Sequence, residues 1–166
     1  MIVLMNDLDR RVPWQRPTTA FLLAQIGAYA ATRFAQRIAG LDLTPPQAGL
    51  LRLVGVQPGQ SQQVIARQLG TPPSRLVLLI DDLEGRGLVE RRRNPDDRRH
   101  HALYLTDKGT AFMRNELGPA GAAHDDDICA ALTGAEREKL HDLLSRIAAQ
   151  QELTEGVHPG YQQLGR

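Results

Sequence analysis

The sequence holds one cysteine, Cys129, among 166 residues. No internal disulfide can form, and a reducing compartment suits such a chain. Aromatic residues are scarce, at 4%. The core therefore has to be aliphatic, and two of the residues available for it, Leu and Ala, are strong helix formers. No apolar run approaches the roughly 18 residues that a membrane-spanning helix needs. The opening stretch Met1–Met5 is too short for a signal-peptide core and is followed by Asp7 and Asp9. A cytoplasmic protein with no membrane partner is the expectation. Net charge is only +1, so a nucleic-acid partner has to be sought in how charge is placed. A glycine-rich phosphate loop, a nucleophile elbow and a paired-histidine metal motif are all missing. The chain does not read as an enzyme, and neither cofactor nor metal is expected.

What is present is helical periodicity with clear punctuation. Residues 1–17 carry Trp14 between Pro13 and Pro17 and read as an irregular arm. Thr18 or Thr19 caps a predicted helix to about Ala39, with Leu23, Ile26, Ala30, Phe34 and Ile38 at helical spacing. Gly40 stops it. Thr44-Pro45 starts a second helix, a hydroxyl cap followed by a proline whose missing N–H does no harm there. Ser61 caps a short third helix, Gln62–Leu69, closed by Gly70. Thr71-Pro72-Pro73 opens a fourth that runs to Arg86. On it Leu76, Leu79, Ile80 and Leu83 form the stripe expected to be buried.

After Gly87 the period changes. Residues 88–93 read as a strand, Asn94-Pro95-Asp96-Asp97 as turn chemistry, and Ala102–Leu105 as the return strand. Thr106 caps a long helix that Gly118-Pro119 is expected to interrupt, because proline removes a helical hydrogen bond. Thr133-Gly-Ala-Glu136 is a capping box before a last helix with Leu140, Leu143, Leu144 and Ile147. The polar tail, 151–166, is expected to fray. The fold class is therefore mostly α (α+β).

A short helix, a tight turn, a second helix and a basic hairpin form one constellation. A helix-turn-helix lays its second helix in the major groove of duplex DNA with N-terminal side chains on base edges. The candidate reading surface is Thr71, Pro73, Ser74, Arg75, Val77 and Leu78, joined by Ser61 and Gln62 at the start of the first helix. Ser74 suits a base or a phosphate, and Arg75 a guanine edge or a phosphate. Val77 and Leu78 are odd on a free surface but sensible against thymine methyls. Residues 86–101 hold six arginines against three acids. Arg92 and Arg93 are candidate phosphate partners. Arg98 or Arg99 at the tip is the candidate for the minor groove, with Asp96 or Asp97 placed to hold its guanidinium. The competing class is a winged helix used only for protein–protein contact, without DNA, against which the arginine hairpin argues.

At these residues the chain resembles the MarR family of bacterial transcription regulators. The resemblance runs through Leu43-Thr-Pro-Pro-Gln47, Ser61–Gly70, Pro73–Val77, Asp82–Arg91, Asn94-Pro-Asp-Asp-Arg-Arg99, Leu105-Thr-Asp-Lys-Gly109 and Leu132–Glu136. It covers about 18–150 as a single domain. The resemblance implies a winged helix-turn-helix over 44–105. It also implies dimerisation helices over 18–40 and 106–150 in a homodimer. The expected function is a repressor bound to a pseudo-palindromic operator and released by a small, often aromatic, ligand. The ligand pocket is placed near Tyr29, Arg33 and the middle of the fifth helix.

Other features carry less. Cys129, between Ile128 and Ala130, is expected to be a buried structural residue. His124-Asp-Asp-Asp127 has metal-ligand chemistry, but a lone His beside acids reads as solvated surface. Trp14 is expected to pack against a dimer partner.

Overall fold

The computed structural model describes residues 16–93, 101–154 and 156–158. The chain divides into two compact units, Met1–Arg33 and Phe34–Arg166. In the N-terminal unit the helix α1 (Thr19–Ala39) begins. Thr18 caps it, its hydroxyl accepting from the Phe21 N–H at 3.2 Å. Phe21, Leu22, Leu23, Ile26 and Tyr29 are all exposed on this helix. Of the five apolar positions read at helical spacing on this helix, Ile38, in the second unit, is fully buried.

The second unit carries α2 (Pro45–Val56), α3 (Gln62–Leu69), α4 (Pro73–Gly85), β1 (Val89–Arg93), β2 (His101–Leu105), α5 (Asp107–Phe112), α6 (Gly118–Ile128) and α7 (Gly134–Gln150). Its core is aliphatic, as the shortage of aromatics requires: Ile38, Leu50, Leu51, Ile65, Leu69, Leu76, Ile80, Leu83, Leu88 and Leu103 are buried. Leu79 is only half-buried at its edge. Strands β1 and β2 pair antiparallel in the register Val89↔Leu105 to Arg93↔His101. Ser61 bridges to Ala102, so the hairpin is stitched to the start of α3.

The caps are mostly those the sequence marks. The Ser61 hydroxyl accepts from the Val64 N–H at 3.3 Å, and α3 ends at Gly70 in the left-handed conformation, φ 60°. At α2 the roles differ from the expectation. The Gln47 side-chain oxygen accepts from both the Thr44 N–H (2.7 Å) and the Thr44 hydroxyl (2.8 Å). Thr133 and Glu136 form the predicted box at α7.

The expected break at Gly118-Pro119 does not occur. Backbone angles stay helical through Gly118, φ −60° and ψ −53°. The chain accommodates Pro119 with a π-helical turn, Met113–Leu117, closed by the Gly118 N–H donating to the Met113 carbonyl. A widened turn is a common way for a helix to absorb a local irregularity. Gly118 is needed there: a Cβ would lie 2.8 Å from the Met113 oxygen. Helix α7 has no buried residue, and Leu140, Leu143, Leu144 and Ile147 form an exposed stripe on it.

Candidate nucleic-acid interface

Helix α4 is seated by one face. Leu76, Ile80 and Leu83 are 0–1% exposed, which fixes the opposite face outward. That face presents Pro73, Ser74, Val77 and Leu78, all exposed, with Arg75 half-buried beside them. Pro72 is the N-cap and offers no side-chain bond. A helix start of this kind has a partial positive charge for a phosphate.

Thr71 is a correction. Its residue is 6% exposed, and its hydroxyl donates to the Leu69 carbonyl at 3.4 Å. It closes the turn between α3 and α4 and is not on the outward surface. Ser61 and Gln62 are half-buried at the start of α3, where the Ser61 oxygen is engaged as the cap.

Three side chains hold α4 in place. The Gln47 amide, having capped α2, donates to an Asp82 carboxylate oxygen at 2.7 Å and ties α2 to α4. Arg86 donates to the Asp42 and Leu41 carbonyls at 2.6 and 3.1 Å, anchoring the end of α4. Arg91 reaches from β1 to pair with both Asp81 and Glu84. Asp81 and Glu84, two of the acids on α4, are thus neutralised by an arginine counted among the basic hairpin. Arg86 and Arg91 are structural, so the local excess of arginine exaggerates the cations free for a phosphate.

On the hairpin, Arg92 is exposed. It pairs with Glu90 and lies over the Tyr104 ring, 4.6 Å from its centroid. Cation–π contact of this sort holds a guanidinium without hiding it. Arg93 ends β1, paired with His101. Asp97, Arg98 and Arg99 lie outside the described residues, as does Trp14.

A cavity of about 320 Å³ opens in the second unit between α2 and the α5–α6 region. Phe34, Ala48, Gly49, Met113, Leu117 and Ala122 form apolar walls. Arg52 supplies the charge at its edge and donates to the Gly156 carbonyl at 3.2 Å. The predicted middle of the fifth helix does line this space. Tyr29 and Arg33 belong to the N-terminal unit and are not among its lining residues.

The other sequence candidates are accounted for locally. Asp127 pairs with Arg37, and Asp126 with Arg137 at 2.6 Å. The His124 ring packs near Phe34, centroids 5.4 Å apart. Among the described residues no group of three or more His, Cys, Asp or Glu could hold a metal ion. Cys129 is half-buried rather than buried, at the end of α6 and 4.0 Å from an Asp125 oxygen.

A capped short helix, a tight turn, a second helix seated by one stripe and a paired hairpin beside it define a winged helix-turn-helix protein. A family model described as "MarR family" matches residues 41–100. The chain is 34% identical over 130 residues to a putative transcriptional regulatory protein for the hcr operon of Thauera aromatica, covering 77% of this chain and 78% of that one. It is 28% identical over 106 residues to the transcriptional regulator HosA of Escherichia coli, covering 64% and 78%. Among solved structures it resembles the transcriptional repressor CouR bound to a 23-mer DNA duplex. There the TM-score is 0.68 and identity 36%, over 79% of this chain and 92% of that one. The chain belongs to the MarR family of transcription regulators. Among the described residues no helix is long and apolar enough to cross a membrane.

Proposed function

We propose that this chain is a cytoplasmic, homodimeric repressor that binds a pseudo-palindromic operator through α4 and the β1–β2 hairpin and is released by a small aromatic ligand. The observation that carries the reading is the outward face of α4. Ser74 and Arg75 stand at its start, over a core face buried to 0–1%. The 36% identical CouR is itself held on duplex DNA, which supports the same use here. Dimerisation is supported by exposed apolar stripes on α1 and α7, which a folded chain in water tends to cover.

Release follows from the cavity's position. Its α2 wall, Ala48 and Gly49, adjoins Gln47, whose amide grips Asp82 on α4. A ligand shifts an equilibrium only if it favours one arrangement. One that moves α2 changes the pose of α4. Arg52 at the cavity edge suits a carboxylate, and apolar walls suit a ring.

The test is binding to a duplex selected by the protein from a random-sequence pool, at several salt concentrations. Affinity should fall steeply with salt, as phosphate contacts demand. Protection should come in two symmetric half-sites roughly 10 bp apart. A protein that selects no duplex and shows no salt dependence would be an adaptor, and the reading would be wrong.

A further inference from the structure

Along the outward face of α4, Ser74, Val77, Leu78 and Asp81 follow one another at i, i+3, i+4 and i+7. The middle of this stripe is aliphatic: Val77 is 38% exposed and Leu78 69%. Neither exposed side chain is needed to seat the helix, because Leu76, Ile80 and Leu83 already do so at 0–1% exposure. The stripe is bounded on both sides. Ser74 lies ahead of it, and behind it Asp81 is held by Arg91. The patch is therefore two side chains wide, far below the roughly 800 Å² per partner of a stable protein interface. It matches instead the edge of one or two base pairs.

Only one feature of the four standard base pairs in the major groove is apolar, the 5-methyl group of thymine. Helix-turn-helix geometry brings this part of the second helix to the base edges. We propose that Val77 and Leu78 are specificity-determining residues that read thymine methyl groups, so that each half-site must carry thymine where the aliphatic stripe meets the groove. Ser74 and Arg75 at the head of the stripe supply the hydrogen-bonding part of the readout. The proposal rests on α4 being the major-groove helix.

The experiment deletes the methyl alone. Thymines of a duplex selected by the wild-type protein are replaced one symmetric pair at a time by deoxyuridine, which keeps every hydrogen-bonding group. Removing one buried methyl should weaken binding about fourfold, hence roughly fifteenfold for a symmetric pair. The effect should appear at one or two positions per half-site, with the salt slope unchanged. Leu78→Ala and Val77→Ala, both at exposed positions, should fold as the wild type does. At least one should bind the thymine duplex more weakly and no longer distinguish it from the deoxyuridine duplex.

Sequence-specific binding that ignores every deoxyuridine replacement would overturn the proposal while leaving the DNA-binding reading intact. A deoxyuridine penalty that persists in both variants would overturn it too, since the methyl would then act on duplex shape. Failure to bind any duplex would remove both readings at once.

Discussion

Gly109 stands where no side chain fits. A Cβ there would lie 1.9 Å from the Leu88 carbonyl oxygen. The neighbouring Thr106 explains the close approach: its hydroxyl donates to the Gly87 carbonyl at 2.6 Å and accepts from the Gly109 N–H at 2.9 Å. One threonine thus caps α5 and ties it to the end of the α4–β1 turn. Gly109→Ala should therefore cost about 3 kcal/mol, because the obstacle is backbone and cannot swing aside. Thermal unfolding should show a Tm lower by roughly 10 °C, and an unchanged Tm would refute the packing argument. Arg75→Ala, by contrast, should leave stability alone. It should cost about 1–3 kcal/mol in operator binding and relax base preference at one symmetric position. Single residues of the site were unevenly legible. Ser74, Arg75, Val77 and Leu78 could be read from helical phase, since the buried stripe fixes its opposite. Thr71 could not, because a turn has no period and its side chain folded inward. Nor could Gln47 or Arg91, whose partners lie 35 residues away and 7–10 residues away respectively.

Within α4 the consequence of Arg91 is electrostatic. Asp81 and Glu84 would otherwise present two carboxylates on the helix proposed to approach phosphates. Arg91→Ala should lower duplex affinity several-fold although Arg91 needs no contact with DNA. Adding Asp81→Asn and Glu84→Gln should restore it, and measured affinities that the added changes fail to restore would count against this role. At the other end of the chain, Glu136 accepts from the Thr133 N–H and hydroxyl, both at 2.8 Å. Those bonds hold its carboxyl below the usual glutamate range. A lowered carboxylate stabilises above its unfolded pKa, and that contribution is lost as pH falls through the folded value. The first turn of α7 should thus loosen only on acidification below the ordinary glutamate range. An NMR titration of the Thr133 amide should show that midpoint, and Glu136→Gln should abolish it. Elements as such were legible almost throughout, because proline, glycine and hydroxyl caps mark their ends. The exception was 113–119, where proline was expected to break the helix. The backbone met the missing N–H by widening one turn, an adjustment that no local propensity announces.

For the molecule as a whole, what remains uncovered decides the assembly. Leu140, Leu143, Leu144 and Ile147 are 37–43% exposed on a helix with no buried residue. Replacing Leu143 and Leu144 with Asp would put charge into the seam of the proposed dimer, at a cost of several kcal/mol. Light scattering at micromolar concentration should then report a monomer, while the wild type should remain dimeric. The π-helical turn bears on the same assembly. It inserts one residue relative to α-helical winding, and one residue corresponds to about 100° of rotation. The faces presented before Met113 and after Leu117 are therefore out of phase with each other. Forcing the five residues Met113–Leu117 into regular α-helical winding, with none deleted, would swing everything downstream around the axis. Each winged unit would still recognise its half of the operator, but the distance between the halves would no longer be kept.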